Sequence, residues 1–112
     1  MIDYNGVKMN NLSVEDANNQ LVNNKNFKII DVREIWEYEI AKINNCIELP
    51  LSRIVNDYLV LEKSVNYGII CHSGVRSQQA CFFLESKGYI VSNIIGGIES
   101  WSLEIDKEIP RY

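Results

Sequence analysis

Cys71 is the side chain in this sequence best placed to do chemistry. It opens the run Cys71-His72-Ser73-Gly74-Val75-Arg76-Ser77. A thiol attacks only as thiolate, and a cysteine followed by a turn and a helix start lies where amide N–H groups converge and the helix dipole is positive. Gly74 supplies the backbone freedom that a tightly curled loop needs if its N–H groups are to point inward. The fixed positive charge of Arg76 adds to that field. The result is an anion cradle around one sulfur, suited to a thiolate and to the anion that its attack leaves behind. Such chemistry calls for no metal and no organic cofactor. A free cysteine at a strand end is often only a small buried hydrophobe. Gly74, Arg76 and Ser77 at these offsets favour the nucleophile instead.

The other polar candidates are weighed against that centre. Arg33 follows a strand predicted to end on the same face, so it either binds an anionic substrate or pairs with Asp31 or Glu34. Asp31 is read as an orienting partner for backbone or arginine rather than as a general base. Arg76 either offers its planar fork to the anion or pairs with an acidic neighbour. His72 sits beside the nucleophile, but nothing in the sequence holds it to Cys71 as a base would be held. Three cysteines, none in a C-x-x-C spacing, and one histidine exclude a disulfide framework and argue for no metal site. Cys46 and Cys81 are read as core, Trp101 as core packing, and Glu15 and Glu62 as solvated helix faces.

These residues need elements to hold them. Ser13-Val14-Glu15-Asp16 is a helix start with Leu12 and Ala17 as a hydrophobic staple, and that helix should run to about Val22. Phe27-Lys28-Ile29-Ile30-Asp31-Val32 reads as a strand buried on both faces, and Ile47-Glu48-Leu49 as a weaker one. Residues 34–40 form a short helix. Ser52 can cap a covering helix whose apolar positions are Ile54, Val55, Tyr58 and Leu59. Gly68-Ile69-Ile70-Cys71 is the next strand, 72–76 a tight loop, and 77–87 a helix ended by Gly88. The last strand is 90–95, and Gly96-Gly97 turn the chain into a final helix carrying Trp101. Strands alternating with helices imply a parallel sheet covered on both faces, with ligands bound beyond the carboxyl ends of its strands. Cys71 lies at such an end.

Bulk properties bound the rest. At 112 residues and 46% hydrophobic content, residues 1–112 make one domain with one core. A formal net charge of −4 without a cluster of Lys and Arg argues against nucleic acid. No run of 18 apolar residues occurs, so no membrane span is expected. Met1-Ile2-Asp3-Tyr4-Asn5-Gly6 lacks the basic flank and apolar stretch of a secretory signal, and a cytoplasmic location is expected.

Three segments together resemble the rhodanese family. Cys71-His72-Ser73-Gly74-Val75-Arg76-Ser77 is similar to its active-site loop, Ile30-Asp31-Val32-Arg33-Glu34 with Glu37-Tyr38 to its first motif, and Gly96-Gly97-Ile98-x-x-Trp101 to its closing motif. The resemblance implies a three-layer α/β/α sandwich around a five-stranded parallel sheet. It also implies transfer of sulfane sulfur from thiosulfate or a similar donor to cyanide, a small thiol or a protein acceptor, through a persulfide on Cys71. Four residues separate Cys71 from Arg76, whereas the loops of related phosphatases and arsenate reductases hold five, so loop length favours sulfur over those activities. A non-catalytic binding module of the family would be suspected had the cysteine been lost. Where relatives commonly have Gly-His-Ile-x-Gly-Ala, this chain has Ala41-Lys42-Ile43-Asn44-Asn45-Cys46, read as a structural turn under the active face with a bearing on substrate preference.

Overall fold

The computed structural model describes residues 10–112; the reading of residues 1–6 as lacking a signal lies outside the described residues. Five parallel strands form one sheet in the order β1-β5-β4-β2-β3: β1 (Asn11–Leu12), β2 (Phe27–Asp31), β3 (Ile47–Glu48), β4 (Asn66–Ile70) and β5 (Ile90–Ile94). The helices between them are α1 (Val14–Asn23), α2 (Ile35–Ile40), α3 (Ile54–Asp57), α4 (Val75–Ser86) and α5 (Gly97–Glu104). Crossovers between the parallel strands put helices on both faces.

Side chains that alternate along each strand separate the core into two layers. Ile30 and Val32, Tyr67 and Ile69, and Val91 pack with Ala80, Cys81 and Leu84 of α4 and with Ile54 of α3. On the other face Phe27, Ile29, Ile70 and Ile94 meet Val14 and Ala17 of α1 and Ile98 and Trp101 of α5. Gly68 makes room on this face for the Phe27 ring of the neighbouring strand, which a Cβ at that position would strike. The three-layer architecture is the one expected. Among the described residues no helix is long and apolar enough to cross a membrane.

The α1 start agrees with the sequence: the Asp16 amide donates to Ser13 Oγ at 3.0 Å. Four details differ. The edge strand β1 was not expected; two residues are too few to show a period. The central strand β4 starts at Asn66 rather than Gly68, because the Tyr67 ring is buried and its hydroxyl accepts from the Glu62 amide at 2.9 Å. Around α3 the expected amphipathic helix is broken into one α turn flanked by 3-10 turns at Leu51–Arg53 and Tyr58–Val60. There Ile54 and Tyr58 face inward, while Val55 and Leu59 stand exposed. Ser52 caps nothing; its hydroxyl donates to Glu34 Oε1 at 2.7 Å. Finally, α4 begins at Val75 instead of Ser77, so Arg76 and Ser77 belong to its first turn.

Candidate active site

Cys71 leaves the sheet at the carboxyl end of the central strand β4, just past Ile70, whose carbonyl accepts from the Val32 amide. Its side chain follows Tyr67 and Ile69 onto the α4 face and is 1% exposed. Gly74, at φ +113°, adopts a left-handed conformation that favours glycine, and the turn brings its N–H to Cys71 Sγ at 3.1 Å. Because α4 starts on the next residue, the sulfur sits by a helix N-terminus, where N–H groups lack intrahelical acceptors. Ser77 Oγ lies 3.3 Å from Sγ, and the Ser77 hydroxyl donates to Asn93 Oδ1 at 2.5 Å. Asn93 Nδ2 donates in turn to the Gly74 carbonyl at 3.2 Å.

The start of α5 buttresses the loop from its other side. The amides of Ile98 and Glu99 donate to the carbonyls of Cys71 and His72 at 2.9 and 3.1 Å. Gly97 permits this approach, since a Cβ there would collide with both carbonyls. His72 is turned away from the sulfur. Its ring stacks on Tyr112 with centroids 4.3 Å apart, and its Nε2 lies 3.5 Å from Glu99 Oε2. Glu99 also pairs with Arg111, which together with His72 holds its carboxyl below the usual range. No pairing of His72 with Cys71 as a base is seen in this arrangement. Ser73 and Val75 form the exposed rim of the loop.

Arg76 has a different partner from the one its charge invites. Both terminal nitrogens bind Glu37, Nη1 to Oε2 at 2.5 Å and Nη2 to Oε1 at 2.7 Å. Glu37, 2% exposed, also accepts from the Glu34 amide at 2.8 Å and the Tyr112 hydroxyl at 2.9 Å. Burial opposes the Glu37 charge, but the hydrogen bonds from Arg76, Glu34 and Tyr112 outweigh it and hold the carboxyl down at about 2. The fork of Arg76 is thus spent on a carboxylate, and the two charges largely offset each other. Anion stabilisation at Sγ then rests mainly on the Gly74 N–H and the α4 terminus.

Arg33 takes the second of its two expected roles. It is wholly buried and bidentate to Asp31, with Nη2 to Oδ2 at 2.7 Å and Nε to Oδ1 at 3.0 Å. Its three remaining N–H groups reach the Tyr112 hydroxyl at 2.8 Å, the Ala41 carbonyl at 2.7 Å and the Glu37 carbonyl at 3.3 Å. The geometry leaves it no donor for a substrate; it ties the 41–46 turn, where Asn45 is left-handed at φ 65°, to the end of β2. Cys81 is fully buried, which pushes its thiol up, and burial pushes the half-buried Cys46 up to about 12. Trp101 is core.

Three contributors escaped the sequence reading: Tyr112, Glu99 and Asn93. Only Asn93 left a legible signal. It is a polar residue in the strand segment Ile90-Val91-Ser92-Asn93-Ile94, next to the apolar Ile94-Ile95, and a buried polar group demands a partner.

The comparisons with known proteins accord with this arrangement. The model of the family described as the rhodanese-like domain matches residues 13–104. The chain is 30% identical over 95 residues to a protein of Allochromatium vinosum named sulfurtransferase, covering 84% of this chain and 89% of that one. It is 35% identical over 114 residues to the adenylyltransferase and sulfurtransferase uba4 of Ogataea parapolymorpha, covering 99% of this chain and 28% of that one. The chain spans half or less of the length of several other curated relatives it matches. A solved rhodanese-like domain protein from Staphylococcus aureus superposes with a TM-score of 0.81 at 28% identity, covering 93% of this chain and 99% of that one. With the sheet order, the cysteine at the end of its middle strand and the matched span in agreement, this chain belongs to the rhodanese-like domain family.

Proposed function

We propose that the chain is a sulfurtransferase that moves sulfane sulfur through a persulfide on Cys71. The observation that carries this reading is a nearly buried sulfur that accepts the Gly74 N–H beside the start of α4, in a loop with four residues between Cys71 and Arg76. In the first step the Cys71 thiolate attacks the outer sulfur of thiosulfate or a similar donor. The donor S–S bond breaks, sulfite departs with the electron pair, and the terminal sulfur of the new persulfide carries the negative charge. In the second step cyanide or a thiolate attacks that terminal sulfur and the Cys71 thiolate is released. The Gly74 N–H and the α4 dipole favour the anion on either side of each step and need no rearrangement to do so.

The acceptor class extends to a thiol carried by a protein. Ile35, Trp36 and Val75 are 65%, 60% and 64% exposed. Val75 is on the loop, and Trp36 touches the Tyr112 ring that stacks on His72, so apolar surface borders the site. A cytoplasmic location suits an enzyme whose thiol must stay reduced.

The competing chemistries share an anion cradle and differ in the atom transferred. Assayed with thiosulfate and cyanide, the protein is expected to form thiocyanate, and with an aryl phosphate to release no phosphate above the rate of Cys71→Ser. Phosphate release without thiocyanate formation would replace this reading with a phosphatase.

A further inference from the structure

Four hydrogen bonds beneath Cys71 close a ring: Cys71 Sγ to Ser77 Oγ, Ser77 to Asn93 Oδ1, Asn93 Nδ2 to the Gly74 carbonyl, and the Gly74 N–H back to Sγ. The direction of each bond follows from the chemistry of its members. A carbonyl only accepts, so the amide nitrogen of Asn93 must face Gly74 and its oxygen must face Ser77. Two oxygens 2.5 Å apart need a hydrogen between them, and only Ser77 carries one. That hydrogen is therefore spent on Asn93, and Ser77 presents lone pairs to the sulfur. The 3.3 Å contact is then made by the thiol hydrogen. Ser77 is 0% and Asn93 7% exposed, so little water is at hand to replace a lost member.

The ring is complete only while Cys71 is a thiol. Once the proton leaves to solvent, Ser77 Oγ turns lone pairs toward a negative sulfur. Rotation of the hydroxyl hydrogen from Asn93 to the sulfur repairs that contact and leaves Asn93 Oδ1 without its donor.

We propose that Asn93 is a positioning residue for Cys71: by holding the Ser77 hydrogen it turns the Ser77 lone pairs toward the sulfur, and rotation of that hydrogen onto the sulfur accompanies attack by the thiolate. The proposal rests on Cys71 being the reacting group. The ionisable groups around the sulfur have other partners, Arg76 with Glu37 of α2 and His72 with Glu99 of α5. Cys81, farther along α4, is kept a neutral thiol by burial. None of them takes part in the ring; Asn93→Ala also removes the bond to the Gly74 carbonyl, and the Ser77→Ala background separates the two effects.

The test uses a Cys46→Ala/Cys81→Ala background, in which Cys71 is the one thiol. The infrared S–H stretch reads the thiol hydrogen bond directly, and iodoacetamide alkylation near neutral pH reads the thiolate. With the ring intact, the S–H band is expected at lower frequency than in Ser77→Ala, where the acceptor is gone. Asn93→Ala frees the Ser77 hydrogen for the sulfur, so alkylation should quicken about threefold to tenfold, the worth of one net hydrogen bond. The same change added to Ser77→Ala should have no further effect. An S–H band that does not move in Ser77→Ala overturns the proposal without recourse to an Asn93 variant. So does a folded Asn93→Ala with unchanged or slower alkylation, or one whose gain persists in Ser77→Ala. Neither readout involves a sulfur donor, so failure here and failure of sulfur transfer are told apart.

Discussion

Cys71→Ser is expected to abolish thiocyanate formation, with a loss on the order of 10³-fold or more, while Cys46→Ala and Cys81→Ala keep it. A hydroxyl is far less nucleophilic than a thiol at neutral pH and forms no persulfide. Serine is close enough in size to leave the loop and the Gly74 N–H in place, so melting should be little changed. The other two cysteines have no route to the reaction. Burial pushes the Cys46 thiol up to about 12, and Cys81 is enclosed between α4 and the sheet. Steady-state assays on the three variants, each normalised to folded protein, check this. Residual turnover within tenfold of the parent in Cys71→Ser would contradict it.

Glu37→Gln is expected to produce the largest change in stability and to alter its pH dependence. The carboxylate receives two bonds from Arg76 and one each from Tyr112 and Glu34. An amide of the same shape keeps one acceptor oxygen, turns an NH₂ toward a guanidinium and leaves Arg76 without its counter-charge. The carboxyl stands at about 2 in the folded chain against an ordinary 4.5. Its stabilisation is therefore fully present above about pH 4.5 and is lost as pH falls toward 2. The shift corresponds to about 3 kcal/mol, and one-third exposure of Arg76 reduces that to roughly 2. Urea unfolding between pH 6 and pH 3 should show the parent and Glu37→Gln converging in stability as pH falls, with about 2 kcal/mol between them at pH 6. Curves that stay parallel would mean that the ion pair contributes no pH-dependent stability.

The reading from sequence succeeded where information was local. Cys71, Gly74 and Ser77 lie within seven consecutive residues, and a strand, a turn and a helix start fall on them in order. The buried strand β2 was legible as an apolar run, and β5, the α1 cap and the Gly96-Gly97 turn were placed as well. Long-range contacts were not legible. Arg76 meets a carboxylate 39 residues away, and Tyr112 reaches Glu37 across 75. No periodicity announces such pairs, so an arginine in an anion loop looked free to bind substrate. Arg33 was left between two roles because its neighbours in sequence fit both, and only its burial separates them. The region around α3 misled for a different reason. Val55 and Leu59 complete an apolar helical stripe in the sequence, but the 3-10 turns rotate them off the core. Asn93 was the missed opportunity, since a polar side chain near the buried end of a strand asks what it binds.

Mass spectrometry of the protein after incubation with thiosulfate, under acidic non-reducing conditions, tests the persulfide most directly. The expected result is a gain of one sulfur atom, located on the peptide containing Cys71, and removed by cyanide with one thiocyanate formed per sulfur lost. An unmodified Cys71 after thiosulfate, or a sulfur found on Cys46 or Cys81 instead, would contradict transfer through Cys71.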